Sequence, residues 1–171
     1  IHDNAALVSL KGFEALASLG SLKGGLFIEN NAALVSMEGF EVLANVGSLN
    51  DGGIYIKNNA ALVSMKGFEA LTSVSGDLSI YDNAALVSLK GFEALASLGS
   101  LTDGLFIGNN CALRCLPDLE MLANVGSLND GGIYIKNNAA LVSMKGFEAL
   151  TSVRGDIAIY HNASLSSSTD L

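Results

Sequence analysis

The chain has 171 residues, half of them apolar, with 6% aromatic residues and no tryptophan. It is long enough for one domain, and we expect its core to be built mainly from Leu, Ile, Val and Met. A net charge of −8, with nine basic residues spread along the chain, excludes a nucleic-acid-binding surface, which needs clustered Lys and Arg. The apolar residues are interrupted at short intervals, so no stretch approaches the ~18 residues of a membrane span.

The sequence is an internal repeat in which one asparagine recurs at successive steps of 27, 28, 24, 27, 28 and 24. Three steps make a 79-residue unit, present as 4–82 and 83–161 with 15 differences, and 162–171 is a weaker terminal turn. Fixed periods of about 20 to 50 residues are typical of solenoids and propellers. We interpret the chain as one solenoid domain, 1–171. The recurring asparagines are Asn4, Asn31, Asn59, Asn83, Asn110, Asn138 and Asn162.

Within each turn, apolar residues recur at every third position, which fits neither a long helix nor a long alternating strand. The spacing predicts a coil of short strands and corners around a narrow core. In chain order, we predict a strand at each Gly-flanked L-x-I segment (GGLFI, GGIYI, GDLSI), a second at LVSL, and a corner or single helical turn at KGFEAL. The recurring asparagine is predicted to point inward in a ladder of amide hydrogen bonds. The alternative is a solvent-exposed turn asparagine.

The pattern L-x-I-x-x-N-x-x-L-x-x-L/M-x-x-F-x-x-L-x-x-V/L, as in 78–98, resembles a leucine-rich-repeat variant, closest to the receptor L-domain repeats of extracellular receptors and fungal cell-wall proteins. The resemblance covers essentially the whole chain. It implies an all-β fold with short helical turns, arranged as a right-handed β-solenoid of about six turns that each span 24 to 28 positions. It also implies an extracellular location and no catalysis. The turns are more alike than those of natural L domains, which favours a repetitive surface contact.

Residues that alternate with the inward Leu and Ile of each L-x-I strand must point outward. Successive turns lie ~4.8 Å apart, so these outward residues are predicted to form a flat aromatic strip flanked by lysines. Two interpretations stay open, namely a binding strip for glycan rings or a protein partner, and stacking that serves stability alone. The candidate binding residues are Phe27, Tyr55, Lys57, Tyr81, Phe106, Tyr134, Lys136 and Tyr160.

Candidate catalytic and metal-ligating residues are sparse. His2 and His161 lie at different positions of the repeat. A glutamate in every turn would suit acid–base chemistry, but lysines three residues earlier favour a solvated face. The NDGG segments at 50–53 and 129–132 suit a tight turn better than a calcium site. We expect no catalysis, no metal and no cofactor. The glutamates are Glu14, Glu41, Glu69, Glu93, Glu120 and Glu148.

The two units differ most at 111–121, the counterpart of 32–42, which holds 8 of the 15 differences, both cysteines and the only proline. An even count favours a disulfide between Cys111 and Cys115. Four extended residues span ~13 Å, beyond the ~7 Å limit between bridged Cα atoms, so the bridge requires a sharp corner near Ala112. The alternative is two free thiols packed as small apolar residues.

Two further features concern Pro117 and Asn162. Pro117 is predicted at the first position of a helical turn. Asn162 begins the only N-glycosylation sequon, a candidate site of modification.

The chain starts at Ile1 and within a turn, which we interpret as a processed or excised piece. Its exposed strand edges predict end-to-end association, as filaments or as a longer array.

The sequence as a whole predicts an extracellular, non-enzymatic structural or adhesive protein. It would bind protein or glycan partners, or copies of itself, through a repetitive β face, without nucleic acid and without membrane insertion. The alternative is a receptor-L-like domain that recognises one glycan or peptide. Ice binding is a third interpretation, disfavoured because the few threonines form no rank on the L-x-I strands.

Overall fold

The computed structural model describes residues 1–48, 52–99, 103–126 and 131–166. Within these ranges the regular structure consists of short strands and one 3₁₀ helix, and no helix is long and apolar enough to cross a membrane. The 3₁₀ helix covers Pro117–Leu119. The strands are β1 (Ser18–Leu22), β2 (Leu26–Glu29), β3 (Asn45–Ser48), β4 (Ile54–Lys57), β5 (Ser73–Val74), β6 (Leu78–Tyr81), β7 (Ser97–Leu98), β8 (Gly104–Gly108), β9 (Asn124–Val125), β10 (Gly132–Lys136), β11 (Ser152–Val153) and β12 (Ile157–Tyr160).

Alternate strands belong to two parallel sheets of six strands each. The even-numbered strands form the L-x-I sheet in the order β12-β10-β8-β6-β4-β2, and the odd-numbered strands form the second sheet in the order β1-β3-β5-β7-β9-β11. Each turn of the chain adds one strand to each sheet, which makes a β-solenoid of about five turns. The predicted all-β solenoid is confirmed. The number of turns is about five where about six were predicted, and the right-handed sense stays a prediction.

The three-residue spacing of the inward residues comes from successive tight turns. The amide of Leu34 donates to the carbonyl of Asn31 at 3.1 Å. Further along the same turn of the coil, the amide of Leu43 donates to the carbonyl of Phe40 at 2.9 Å. A hydrogen bond from residue i+3 to residue i closes a β-turn. Every third side chain therefore returns to the side of the chain that faces the core.

The second strand of each turn does not lie at the predicted LVSL segment. The LVSL segment forms no strand in the described residues, because tight turns on both sides leave it too short for a ladder. It contributes isolated hydrogen bonds between turns, such as the one from Val63 N–H to the carbonyl of Val35 at 3.0 Å. The second strand instead follows the KGFEAL segment, which forms the predicted corner as two adjacent turns.

The core is one continuous cluster of inward side chains. Leu, Ile, Met and Val fill most of it, as predicted, and phenylalanines of the repeat pattern complete it. Phe40, Phe68 and Phe92 are buried and stack on one another, with ring centroids 5.5 Å apart. In the next turn Leu119 takes the equivalent place and is also fully buried.

The predicted asparagine ladder is present, with its five central members fully buried. The amide of Asn59 donates to Oδ1 of Asn83 at 3.0 Å, and the amide of Asn83 donates to Oδ1 of Asn110 at 3.1 Å. From Asn59 onward, each side chain also donates from Nδ2 to a strand carbonyl of the preceding turn, as Asn83 does to Ile56 at 3.0 Å. The ladder therefore satisfies buried backbone groups and fixes the register of neighbouring turns.

The residue before each ladder asparagine has a positive φ, between 53° and 60°, in every turn. This left-handed conformation strains most residues but suits Asn and Asp. Neighbouring members also bond one another, as Asn58 Nδ2 does to Oδ1 of Asn30 at 2.8 Å. The sequence analysis missed this requirement, although the recurring Asn-Asn and Asp-Asn pairs signal it. The members are Asp3, Asn30, Asn58, Asp82, Asn109, Asn137 and His161.

The segment 111–121, where the two repeat units differ most, forms a corner that differs from those of the other turns. Elsewhere this corner holds a glycine of positive φ, such as Gly146 at 125°. A Cβ on Gly146 would lie 1.8 Å from the carbonyl oxygen of Leu116. Asp118 stands at this glycine position in the divergent turn, where the 3₁₀ helix replaces the usual turn. Pro117 lies at the start of that helix, as predicted.

Asp118 makes this corner sensitive to pH. Its Oδ2 is buried and has no hydrogen-bond partner among the described residues. Burial, together with the nearby charge of Glu93, raises the pKa of Asp118 above its ordinary value of 3.8. Because the folded state holds this proton more tightly, the contribution of Asp118 to stability is greatest below pH 3.8 and is lost as the pH rises through its folded pKa.

We therefore predict that Asp118→Asn stabilises the chain at pH 7 by up to about 1 kcal/mol, the lower end of the cost of an unsatisfied buried polar atom, because water screens the half-buried side chain in part. Urea unfolding of both chains at pH 3 and pH 7 measures this effect. The gain should be small at pH 3 and larger at pH 7. An equal gain at both pH values would contradict a cause in the ionised carboxylate.

Candidate functional site

The outer face of the L-x-I sheet carries two columns of side chains in register. Parallel pairing places equivalent residues of all six strands side by side, two positions per strand. All eight candidate binding residues lie in these columns and are half-buried or exposed. The first column is Phe27, Tyr55, Ser79, Phe106, Tyr134 and Ala158. The second is Glu29, Lys57, Tyr81, Gly108, Lys136 and Tyr160.

The rings do not form one continuous stack. Phe27 and Tyr55 stack with centroids 4.7 Å apart and planes within 8°. Tyr81 meets Phe106 edge to face, with centroids 5.7 Å apart. In the first column, Ser79 lies between these two pairs and carries no ring. In the second column, Gly108 follows Tyr81 and also carries no ring. The predicted strip is therefore two aromatic clusters with a gap between them.

Both lysines of the face lie over aromatic rings. Lys57 Nζ is 5.0 Å from the centroid of the Tyr81 ring. Lys136 Nζ is 5.0 Å from the Phe106 centroid and 5.8 Å from that of Tyr160. Each contact contributes about 0.5–1 kcal/mol at an exposed site. The lysines hold the rings in place and add positive charge to a face of a strongly acidic chain.

A cleft of about 400 Å³ opens at the gap in the first column. Its centre is Ser79, the small residue between Tyr55 and Phe106. Aromatic rings wall the cleft, and carboxylate, amide and ammonium groups line its rim. The lining residues are Tyr55, Ser79, Tyr81, Asp82, Asp103, Phe106, Asn109 and Lys136. The sequence analysis predicted four of these, and missed Ser79, Asp82, Asp103 and Asn109.

A buried carboxylate, Asp77, bonds two of the residues that line this cleft. Asp77 is 2% exposed, and its Oδ2 accepts a hydrogen bond from the Tyr55 hydroxyl at 3.2 Å. Its Oδ1 accepts from the backbone amides of Asp103 and Gly104, both at 3.1 Å. Asp77 therefore ties the Tyr55 ring to the chain entering β8. Asp77 takes the position that Gly53 occupies in the preceding turn. This change from glycine to aspartate was the signal for it in the sequence.

The glutamates of the corners are engaged by the backbone. Each of three carboxylates accepts a hydrogen bond from the glycine amide two residues earlier, at 2.8–2.9 Å. Lys66, three residues before Glu69, bonds Glu38 of the neighbouring turn at 2.7 Å. These contacts support a structural role for the column. The three are Glu41, Glu69 and Glu93.

The described ranges contain no preformed metal site. No group of three or more His, Cys, Asp or Glu side chains converges there. The predicted tight turns at NDGG lie partly outside the described residues, at 50–51 and 129–130. His2 and His161 are both exposed. His2 Nδ1 lies 2.8 Å from Oδ2 of its neighbour Asp3.

The two predicted modification sites have the following surroundings. Cys111 and Cys115 are free thiols, the first exposed and the second half-buried, so the predicted bridge is not formed in this structure. Asn162 is half-buried at the last position of the ladder, and its Nδ2 donates to the carbonyl of Ile135 at 2.9 Å. A glycan on Nδ2 would have to compete with that hydrogen bond.

No family model, curated protein or solved structure matches this chain. The β-solenoid is therefore established by the strand pairing of the chain itself, and the candidate site by the geometry of the L-x-I face.

Proposed function

We propose that the outer face of the L-x-I sheet is an adhesive surface of an extracellular, non-enzymatic repeat protein. The observation that supports it is the register of the two columns, which collects rings and lysines on one flat face. Aromatic residues are enriched in interfaces because they bury a large area at low entropic cost. The partners are proteins, glycans or further copies of the chain.

The proposal includes kinship with leucine-rich repeats of the receptor L-domain type, supported by the residue pattern 78–98 and its recurrence in every turn. The absence of a role in catalysis is also proposed. It is supported by the glutamate contacts, because the carboxylates of Glu41, Glu69 and Glu93 bond the backbone of their own corners, as structural residues do.

A second candidate function is recognition of one glycan or peptide by a receptor-L-like domain. The cleft at Ser79 favours it, because a recess that interrupts repetitive columns suits a defined ligand better than an extended contact.

The adhesive role predicts that replacing four outward rings by serine weakens association at least 100-fold without unfolding the chain. The physical reason is that an aromatic anchor often contributes about 2 kcal/mol or more, whereas the inward columns remain intact. Sedimentation over a concentration series measures self-association, and far-UV circular dichroism measures folding. The variant is Phe27→Ser, Tyr55→Ser, Phe106→Ser and Tyr134→Ser combined.

A matched control is available on another face, where a column of valines is 40–62% exposed. Four Val→Ser changes there remove comparable exposed apolar groups and should leave association unchanged. If the valine variant loses association and the aromatic variant keeps it, the proposed surface is wrong. Filaments that persist in the aromatic variant would instead indicate the predicted end-to-end contact. The control changes are at Val8, Val35, Val63 and Val87.

A further inference from the structure

We propose that the cleft over Ser79 binds a single neutral hexopyranose ring, the sugar unit of a glycan partner. The inference rests on the proposed binding role of the same face, and it names the class of ligand and the place where that ligand sits.

The width of the cleft suits a puckered ring. Tyr55 and Phe106 occupy the same column two strands apart, which separates their backbones by about 9.5 Å. Stacking contacts with an aromatic ring occur at about 4.5 Å or more between centroids, so this gap admits one ring stacked on Tyr55 and bordered by Phe106. One face of Tyr55 is covered by Phe27 at 4.7 Å. The opposite face points along the sheet toward Ser79 and borders the cleft.

The chemistry of the walls and rim matches a sugar. A pyranose presents C–H groups on its faces, which are attracted to the negative face of an aromatic ring. It presents hydroxyls at its edge, which both donate and accept hydrogen bonds. The rim supplies acceptors at Asp82 and Asp103, a donor at Lys136, and an amide at Asn109 that donates to Asp82 Oδ1 at 2.8 Å.

Charge selects a neutral ligand. The rim has two carboxylates and one lysine, whose ammonium lies over the Phe106 ring. The chain as a whole carries a net charge of −8. Phosphorylated, sulfated or acidic sugars would therefore be repelled. A peptide finds few partners for its own backbone here, because the backbone groups of β6 and β8 already pair within the sheet.

The test is saturation-transfer NMR of the chain with neutral methyl hexopyranosides at concentrations up to 10 mM. A single sugar of this size in an open cleft should bind with a dissociation constant on the order of 1 mM. Tyrosine fluorescence gives a second readout, because the chain has four tyrosines and no tryptophan. Two of the four, Tyr55 and Tyr81, line the cleft.

The decisive variant is Ser79→Tyr, which extends the aromatic column and fills the cleft. Its matched control is Ala158→Tyr, at the same column position one repeat unit later and outside the cleft. We expect at least tenfold weaker sugar binding in Ser79→Tyr and unchanged binding in Ala158→Tyr. Asp103→Asn removes one rim carboxylate from an exposed position and should weaken binding several-fold, which keeps the test valid if Ser79→Tyr folds poorly.

Three results would overturn the inference: no transfer to any neutral hexoside at 10 mM, binding that survives both Ser79→Tyr and Asp103→Asn, or preferential binding of acidic sugars or peptides. Failure of the adhesive role is distinguishable from these results. Self-association that is lost in the four-serine variant, in a chain that binds no hexoside, would support the adhesive face and reject the sugar site.

Discussion

Replacing Asn83 by alanine is expected to lower the free energy of unfolding by about 4 kcal/mol. The side chain accepts from the buried amide of Asn59 at 3.0 Å and donates to the carbonyl of Ile56 at 3.0 Å. Alanine leaves both groups without these partners in the interior, and each unsatisfied group costs about 1–3 kcal/mol. Urea denaturation of the purified chain measures the difference.

The matched control is Asn4→Ala, at the first position of the same ladder. Asn4 is exposed, and its Nδ2 donates to the carbonyl of His2 at 2.8 Å. Water can replace that partner, so we expect a loss below about 1 kcal/mol. Equal losses at Asn4 and Asn83 would show that burial of the ladder is not what makes it stabilising.

The second large effect is expected from Gly91→Ala, which should destabilise the chain by about 4 kcal/mol. Gly91 has a φ of 120°, outside the range that L residues adopt readily. An added Cβ would lie 2.0 Å from the carbonyl oxygen of Met65 in the preceding turn. Backbone strain of about 1–3 kcal/mol and overpacking of similar size both contribute.

Gly12 occupies the same column one repeat unit earlier and provides the control for Gly91. A Cβ at Gly12 meets nothing within 4 Å, because no described turn precedes it. We expect Gly12→Ala to change stability by less than about 1 kcal/mol, with a gain possible through the unfolded state. Thermal unfolding of both variants measures the contrast. A loss at Gly12 as large as that at Gly91 would contradict the steric explanation.

Much of the fold was predictable because one spacing rule operates in every turn. The three-residue period identified the inward columns and the buried asparagines, since each β-turn returns a side chain to the core. The second sheet was not predicted, because strands as short as Ser73–Val74 carry no alternation of their own. The left-handed residues before each ladder asparagine were missed, although their amino acid types indicated them.

The candidate site was predictable in part. The alternation of inward and outward residues along the L-x-I strands identified the eight candidate binding residues of the face from sequence alone. The cleft depends on a missing ring at Ser79 and on a loop acid, Asp103, brought beside it from the next turn. The position of Asp103 relative to the face follows only from the three-dimensional structure.

The asparagine ladder also bears on how such a chain folds. Every ladder bond from one asparagine amide to the next joins residues 24 to 28 positions apart. A new turn therefore closes a loop of nearly constant length, whatever the number of turns already formed. The entropic cost of closing each loop stays the same, and contact order relative to length falls as turns are added. A 79-residue unit that recurs, as 43–74 does unchanged at 122–153, thus lengthens the protein without slowing any single folding step.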